Sequence, residues 1–310
     1  MERTTIEATE YERVRAGAGL LERERGKLLL TGDEAAEFLQ GQLTNDVEGL
    51  APGSGCYAAL LTPKGKLRAD MRALRGDDWI WLDTEPDALL VVLRTVETYS
   101  LGRDVRWEDL TGMRSVLSLL GPASREALDA RPPEREHAFV EGEHGLYVAT
   151  DVGVDVICEA GHAAAVREAL GVDPISLETA ECLRMESGRP RMGLDMDGET
   201  IPQEAGLNER AVSFSKGCYV GQETVARLHY KGKPNRYLRG LRLSVPAQRG
   251  DELRLGDRVV GAVGSTCVSP ALGPIALAVV RREAAPGDRV LVGGEEAPAE
   301  VAELPFKSGA

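Results

Sequence analysis

Short apolar runs separated by glycine, proline and charged residues recur along the chain and alternate with amphipathic stretches. Runs with β-forming residues predict strands at 27–30, 56–62, 67–74, 77–83, 113–120, 145–150 and 152–159. Leu89, Leu93 and Val96 are spaced i, i+4 and i+7, which predicts the buried face of a helix. Residues 63–66 form a Pro/Gly turn typical of a hairpin. Because hairpins are frequent, the pattern favours an α+β fold with antiparallel sheets over a parallel dinucleotide-binding fold.

Capping residues predict where several helices begin. Thr31 with Glu34 three residues later is a capping-box pattern ahead of a helix. Thr84 and Ser176 are predicted N-caps of two further helices, the second running to residue 187. A helix is also predicted over residues 121–130, opened by a Gly-Pro pair.

The last quarter of the chain has a different pattern. Residues 230–236 are basic and rich in chain-breaking residues, which predicts a domain boundary there. Short strands separated by glycine and proline follow at 238–243, 258–263, 275–280, 289–292 and 300–304. This spacing is typical of a small β-barrel. We therefore predict an α+β region at residues 1–232 and a C-terminal β-barrel at residues 233–310.

Composition narrows the classes of partner. The 310 residues carry a net charge of −13, which argues against a broad nucleic-acid or anionic-membrane surface. No apolar run approaches the roughly 20 residues that span a bilayer. The first ten residues are polar and lack the apolar core of a signal peptide, so a cytoplasmic location is expected. We also expect a monomer.

Cysteine and histidine usage gives no sign of a metal site. The five cysteines are far apart, and none forms a Cys-x-x-Cys pair. Neither a disulfide framework nor a self-contained zinc or iron–sulfur ligand set is therefore expected. The four histidines lack the His-Glu-x-x-His spacing. The sequence thus predicts no resident metal.

The stretch with the most varied chemistry is 216–223, Lys-Gly-Cys-Tyr-Val-Gly-Gln-Glu. The run 222–229 after it has few breakers and predicts a helix. Cys218 is then expected beside a helix N-terminus and two residues from Lys216, and both neighbours favour the thiolate. The alternative is a strand–turn–helix corner in which Cys218 is a buried packing residue.

This octapeptide resembles the hallmark of YgfZ-type folate-binding proteins. These are relatives of the glycine-cleavage T-protein, an aminomethyltransferase, and of a mitochondrial iron–sulfur assembly factor. Segments 32–46, 183–188 and 201–207 are likewise similar to T-protein segments. The resemblance implies a folate-binding region of two ferredoxin-like lobes and a C-terminal small β-barrel, with tetrahydrofolate or a one-carbon derivative as ligand.

The resemblance also implies roles for particular residues. Cys218 is the expected functional thiol, and Asp70 is expected to face the folate nitrogen that carries the one-carbon unit. The alternative for Asp70 is a solvent-facing position on an alternating strand. Glu186 is expected to bind the pterin, because two carboxylate oxygens match its parallel N–H donors; Arg184 or Arg189 could instead simply neutralise it. Further folate-binding residues are expected at Lys216, Tyr219, Gln222 and Arg227.

Two classes of function remain open on the sequence. In the first, the protein is a folate-dependent accessory factor whose partners are iron–sulfur clients or assembly proteins, and the cysteine signature favours it. In the second, it is a one-carbon transferase of the T-protein type, which Asp70 and Glu186 favour. A third hypothesis is that the protein has the same fold but binds no folate, because the tryptophans associated with pterin stacking are absent near Lys27 and Glu186.

Overall fold

A computed structural model describes residues 6–294 and 296–307 of the chain. They form two compact units. The lobed unit comprises Glu12–Ile175 and Asn208–Thr224. The curled-sheet unit comprises Ser176–Leu207 with the described parts of Met1–Tyr11 and Val225–Ala310. Each unit is assembled from separate chain segments, so the units cannot be compared with a single boundary along the chain. The predicted boundary between residues 232 and 233 therefore stays a prediction.

The helices and strands of the described residues have the following bounds. The helices are α1 (Ala8–Ala16), α2 (Ala35–Gln42), α3 (Leu89–Tyr99), α4 (Ala163–Leu170), α5 (Leu177–Glu186), α6 (Asn208–Ala211) and α7 (Gln222–Lys231). The strands are β1 (Gly19–Arg23), β2 (Gly26–Thr31), β3 (Ser54–Leu61), β4 (Leu67–Arg75), β5 (Trp79–Thr84), β6 (Arg106–Asp109), β7 (Arg114–Leu120), β8 (Phe139–Gly142), β9 (Gly145–Thr150), β10 (Gly153–Glu159), β11 (Arg236–Leu243), β12 (Glu252–Leu255), β13 (Arg258–Ala262), β14 (Thr266–Ser269), β15 (Gly273–Arg281), β16 (Arg289–Val292) and β17 (Ala297–Ala302). None of these helices has the length and apolar character that crossing a lipid bilayer requires.

The first lobe of the lobed unit is a five-stranded antiparallel sheet in the order β3-β4-β5-β2-β6. Helices α2 and α3 contribute Phe38 and Val92 to the core that Leu30 and Met71 form on the sheet. Without β3, the order β6-β2-β5-β4 is that of a ferredoxin-like fold, in which a strand inserts between the two strands of a βαβ unit. The predicted α+β character is confirmed in this lobe.

The second lobe is a five-stranded antiparallel sheet in the order β1-β7-β10-β9-β8. Helix α4 packs Val166 and Leu170 against Leu117 and Val156 of the sheet. The order β7-β10-β9 is again that of the ferredoxin-like fold, but β1 occupies the edge next to β7. The sequence pattern did not predict β1, because five residues of mixed polarity carry little strand signal.

The helix predicted over residues 121–130 is wrong, since these residues form turns. The Asp129 carboxylate accepts hydrogen bonds from the Tyr147 hydroxyl at 2.5 Å and from the Glu143 backbone N–H at 3.1 Å. Arg125 donates to the carbonyl of Pro132. These contacts hold the segment in turns against its moderate helix propensity.

Two predicted helix caps are also wrong. Glu34 is the N-cap of α2 and makes no side-chain cap bond; its carboxylate accepts the Asp104 backbone N–H at 2.6 Å. The Thr84 hydroxyl donates to the Asp70 carbonyl at 2.6 Å, and a short 3₁₀ turn precedes α3. In both places a polar side chain bonds to a distant segment of the chain in place of its own helix.

The two sheets of the lobed unit pack face to face. Leu74 and Trp81 from the first lobe share one core with Val116, Phe139 and Ile157 from the second. Trp79 and Trp81 lie on the same face of β5, and both contribute to this core.

One buried cation joins the two sheets of the lobed unit. The Arg72 guanidinium pairs with Asp83 of its own sheet at 2.8 Å and with Asp155 of the opposing sheet at 2.7 Å. The Ser118 hydroxyl donates to Asp155 at 2.6 Å. The interface therefore contains a charged network whose members depend on one another for compensation.

The curled-sheet unit contains a seven-stranded antiparallel sheet in the order β13-β12-β16-β17-β11-β15-β14. It curls so that β13 approaches β15: a Cβ added at Gly261 would lie 2.8 Å from the carbonyl oxygen of Val279. Only glycine permits so close an approach. The predicted C-terminal small barrel is confirmed as this half-barrel, and β12 and β14 are the strands that the sequence pattern missed.

Helix α5 begins at the predicted cap. The Ser176 hydroxyl accepts the Thr179 backbone N–H at 3.2 Å and donates to Glu10 at 2.6 Å. We expect Ser176→Ala to lower the free energy of unfolding by about 1 kcal/mol, because an N–H in the first turn loses its acceptor. Urea denaturation measures this loss. The exposed Ser244→Ala in the same unit is the control, and an equal loss in both variants would contradict the capping role.

Candidate functional site

Asp70 lies on β4 opposite Ala59 and is only 7% exposed, so the solvent-facing alternative is wrong. Its Oδ2 accepts a short hydrogen bond from the Tyr57 hydroxyl. Its Oδ1 is buried and has no hydrogen-bond partner among the described residues. Burial raises the pKa of Asp70, and the Tyr57 hydrogen bond and the nearby Arg25 partly oppose that rise. One carboxylate oxygen is thus buried without a partner in the described structure, and the raised pKa favours the protonated form of the group.

Tyr57 and Arg210 complete the surroundings of Asp70, and the sequence analysis missed both. The Arg210 guanidinium lies 5.3 Å from the centre of the Tyr57 ring and pairs with Glu136. Tyr57 is the diagonal neighbour of Asp70 on the hairpin, two residues from its cross-strand partner. Because such diagonal side chains are within reach of one another, the hairpin register could have identified Tyr57. Arg210 has no comparable sequence signal.

Lys216 binds the loop of residues 213–220, which includes the first part of the octapeptide, to the end of α2. Its ammonium donates to the carbonyls of Gln40 and Leu43, both at 2.6 Å, and of Asn45 at 2.9 Å. Burial lowers the pKa of Lys216 to about 8, although the nearby Asp46 favours the charged form. The last carbonyls of a helix lack intrahelical partners, so an ammonium satisfies them well.

Four segments of the lobed unit that the sequence analysis singled out contact one another. The Thr44 hydroxyl donates to the Ala211 carbonyl at 2.5 Å, and the Asn45 amide donates to the carbonyls of Tyr57 and Arg210. Gly221 has a φ of +86°, and a Cβ there would lie 2.5 Å from the carbonyl oxygen of Thr62. A Cβ at Gly65 would likewise lie 3.3 Å from the carbonyl oxygen of Gly221, so residues 44–46, the 56–62 strand, the 63–66 turn and the octapeptide pack together.

Cys218 is exposed on this fastened loop, so the alternative of a buried packing cysteine is wrong. Tyr219 beside it is buried, and its ring centre lies 5.1 Å from the Lys216 ammonium. Gln222 begins α7 as predicted and is half-buried, and Arg227 is exposed on the same helix. That Lys216 favours the thiolate form of Cys218 stays a prediction. In the structure the Lys216 ammonium donates its hydrogen bonds to three backbone carbonyls.

We expect Lys216→Met to increase the mobility of the loop of residues 213–220. Methionine fills similar space but donates no hydrogen bond, so three carbonyls lose a charged donor at a cost of about 2–3 kcal/mol. Backbone N–H groups of residues 213–220 should then exchange hydrogen faster, as measured by mass spectrometry. The control is Lys64→Met, which removes an exposed cation in the adjacent turn. Unchanged exchange in Lys216→Met would contradict the fastening role.

Glu186 is the last residue of α5 in the curled-sheet unit and is buried. Its carboxylate accepts hydrogen bonds from the Tyr11 hydroxyl at 2.9 and 3.0 Å and from the Ser269 hydroxyl at 2.5 Å. Arg184, one of the expected neutralising partners, pairs with Glu181 and Asp195. Neutral hydroxyls therefore orient the Glu186 carboxylate, and its role toward pterin stays a prediction.

The described residues contain no group of three or more His, Cys, Asp or Glu side chains placed to hold a metal ion. Of the predicted site residues, Asp70, Lys216, Cys218, Tyr219 and Gln222 belong to the lobed unit. Glu186 and Arg227 belong to the curled-sheet unit.

Two ferredoxin-like lobes followed by a curled antiparallel sheet define the fold of the glycine-cleavage T-protein. The chain matches the GCVT N-terminal domain over residues 2–141 and the glycine cleavage T-protein C-terminal barrel domain over residues 236–307. It is 30% identical to an aminomethyltransferase of Streptomyces coelicolor, across 97% of this chain and 89% of that one. The chain therefore belongs to the GcvT family.

Other relatives agree with this placement. The chain is 28% identical to a putative chloroplastic transferase of Arabidopsis thaliana, across 91% of this chain and 69% of that one. Its fold is similar to that of the glycine cleavage system aminomethyltransferase T from Bartonella henselae, with a TM-score of 0.87 and 23% identity. That alignment covers 97% of this chain and 89% of the other. The finer likeness to YgfZ-type proteins stays a prediction.

Proposed function

We propose that this protein binds tetrahydrofolate and transfers a one-carbon unit to or from it. The observation that carries the proposal is the buried Asp70 carboxyl: Tyr57 donates a hydrogen bond to one oxygen, and the other has no partner in the part of the chain that the structure describes. A carboxyl desolvated in this way can exchange a proton with a reacting nitrogen, which is general acid–base catalysis. The tetrahydrofolate nitrogen that gains or loses the one-carbon unit is the proposed partner of Oδ1.

The relatives support the transferase class. The names of the Streptomyces coelicolor and Bartonella henselae proteins describe aminomethyltransferases, and the Arabidopsis thaliana protein is named a putative transferase. We therefore propose an aminomethyl or similar one-carbon group as the transferred unit. Glu186 is the proposed pterin acceptor, because its carboxylate is buried and already oriented by Tyr11 and Ser269.

A second candidate function rests on Cys218. The loop that carries it is fastened by the Lys216 ammonium and by the Ser213 and Val220 backbone N–H groups, yet the thiol is exposed. A rigid loop that presents a thiol suits contact with another protein, because little conformational entropy is lost on binding. This favours the accessory role toward iron–sulfur client or assembly proteins, with folate as its ligand.

Two measurements on the purified protein test the proposal. Calorimetric titration with tetrahydrofolate should give saturable binding, and Glu186→Gln should weaken it about tenfold because the amide places one donor against the pterin donors. Steady-state aminomethyl transfer to tetrahydrofolate should proceed in the wild type and in Cys218→Ala alike. Absence of folate binding in the wild type would overturn the proposal. Folate binding without any turnover would favour the accessory role.

A further inference from the structure

A cavity of about 820 Å³ lies in the lobed unit, and none of the predicted site residues lines it. Its apolar wall comes from both lobes: Leu29 and Trp81 from the first, and Leu146 and Ile157 from the second. The strands that carry these residues are the same ones that pack face to face in the interior of the unit. The cavity is therefore an extension of the apolar interface between the lobes that reaches the surface.

The size and rigidity of this cavity fit a small molecule. Protein interiors are close-packed, so a space of this volume is not an ordinary packing void, and it lies in the range of small-molecule sites. The Trp81 indole N–H is fixed by a 3.0 Å hydrogen bond to Asp83. The Trp79 ring, which also lines the cavity, packs 5.6 Å from the Phe139 ring centre. Preformed walls lower the ordering cost of binding.

The charges around the cavity are predominantly negative. Glu141, Glu143 and Glu159 line it, and the cation among the lining residues, Arg114, is already paired with Glu159 at 2.8 Å. Within the part of the chain that the structure describes, Glu141 and Glu143 form no ion pair, whereas Nδ1 of His162 lies 3.9 Å from Glu159. The Glu141 and Glu143 carboxylates therefore have no lysine or arginine partner among the lining residues. Such a rim attracts a cation and repels an anion such as folate, whose glutamate tail is negatively charged.

We infer that this cavity is a binding site for a small organic cation with an apolar body. The apolar body lies against Leu29, Trp81 and Ile157, and the cationic group lies at the rim near Glu141 and Glu143. The site is separate from the proposed folate chemistry, because it shares no residue with Asp70 and its neighbours. Trp79 and Trp81 make binding observable by fluorescence.

The test uses benzyltrimethylammonium as the cationic probe and benzenesulfonate as an anion of similar size. Titration of the wild type is expected to give a saturable change in tryptophan fluorescence with the cation, and at least tenfold weaker binding of the anion. Glu141→Gln/Glu143→Gln should weaken cation binding about fivefold, because each exposed charge contact contributes a fraction of a kcal/mol. The control is Glu168→Gln, an exposed carboxylate on α4 outside the cavity, which should leave the affinity unchanged.

A steric variant makes the test independent of charge. Ala165 lines the cavity from the exposed side of α4, so Ala165→Trp places a ring in the cavity without disturbing the buried core. It should abolish binding of the cation and leave tetrahydrofolate titrations unchanged. Equal binding of both probes, insensitivity to the Glu141 and Glu143 substitutions, or no saturable signal in the wild type would each overturn the inference.

Discussion

Replacing Asp70 with asparagine is expected to lower the rate of one-carbon transfer at least 100-fold while the affinity for tetrahydrofolate changes less than about threefold. Asparagine has the same shape and its oxygen can still accept a hydrogen bond from the Tyr57 hydroxyl, so the geometry around residue 70 is kept. The amide cannot exchange a proton, and that step is the contribution proposed for Asp70. Steady-state transfer kinetics and calorimetric folate titration on the same preparation separate the two effects.

Tyr57→Phe is the matched variant for this experiment. The Tyr57 hydrogen bond opposes the rise that burial causes in the pKa of Asp70, so its loss should raise that pKa further. The pH at which the carboxylate form is lost on acidification then moves upward, and the acid limb of the rate profile moves with it. Transfer that is unaffected in Asp70→Asn would contradict a catalytic role. An unchanged pH profile in Tyr57→Phe would show that Tyr57 does not tune Asp70.

Arg72→Met is expected to lower the free energy of unfolding by about 3–5 kcal/mol, because the buried Asp155 loses its cation and the buried Asp83 keeps only Arg25. Asp83 is 2% exposed and Asp155 is 8% exposed, so water cannot replace the guanidinium. Denaturant unfolding at pH 7 measures the loss. Arg254→Met is the control, since Arg254 pairs with Glu252 at an exposed position and should change stability by less than about 1 kcal/mol. Equal effects of the two variants would contradict the argument.

The same network predicts how stability depends on pH. Burial alone would raise the pKa of Asp83, but the guanidiniums of Arg72 and Arg25 hold it down to about 2. The unfolded value is about 4, so Asp83 stabilises the wild type above that pH and loses this contribution as the pH falls toward 2. The loss amounts to about 3 kcal/mol, since each unit of pKa difference corresponds to about 1.4 kcal/mol. In Arg72→Met the pKa of Asp83 should rise, so acid destabilisation begins at a higher pH.

Much of the fold was predictable because it follows from local chemistry. The 63–66 turn, the Ser176 cap and the start of α7 lie where turn residues, cap chemistry and the absence of breakers predicted them. The three errors about helices have one cause in common. Glu34, Thr84 and the 121–130 segment all carry local helix signals, but their side chains or backbone bond to segments elsewhere in the lobed unit.

Some features of the candidate site could likewise be predicted from the sequence, whereas others required the structure. Asp70, Glu186 and Cys218 were proposed from residue identity and motif resemblance, and their environments could not be read from spacing. Tyr57 could have been identified from the register of the β3–β4 hairpin, but the sequence analysis missed it. The Arg210 contact and the cavity between the lobes depend on how two separate sheets face one another, which no pattern along the chain encodes.

For this protein, residue order alone sufficed for the positions of most strands and helices, the T-protein resemblance and the residue types at the site. The positions of strands and helices depend on interactions between residues close in sequence. The resemblance and the residue types at the site depend on short motifs that can be recognised in the sequence itself. Only the tertiary structure decided that Lys216 bonds to carbonyls as far as 176 positions away and that β1 occupies a sheet edge beside β7. The same holds for the burial of Asp70, one oxygen of which has no partner among residues 6–294 and 296–307. Such contacts form only when folding brings distant segments within hydrogen-bonding range, so they leave no periodic trace in the sequence.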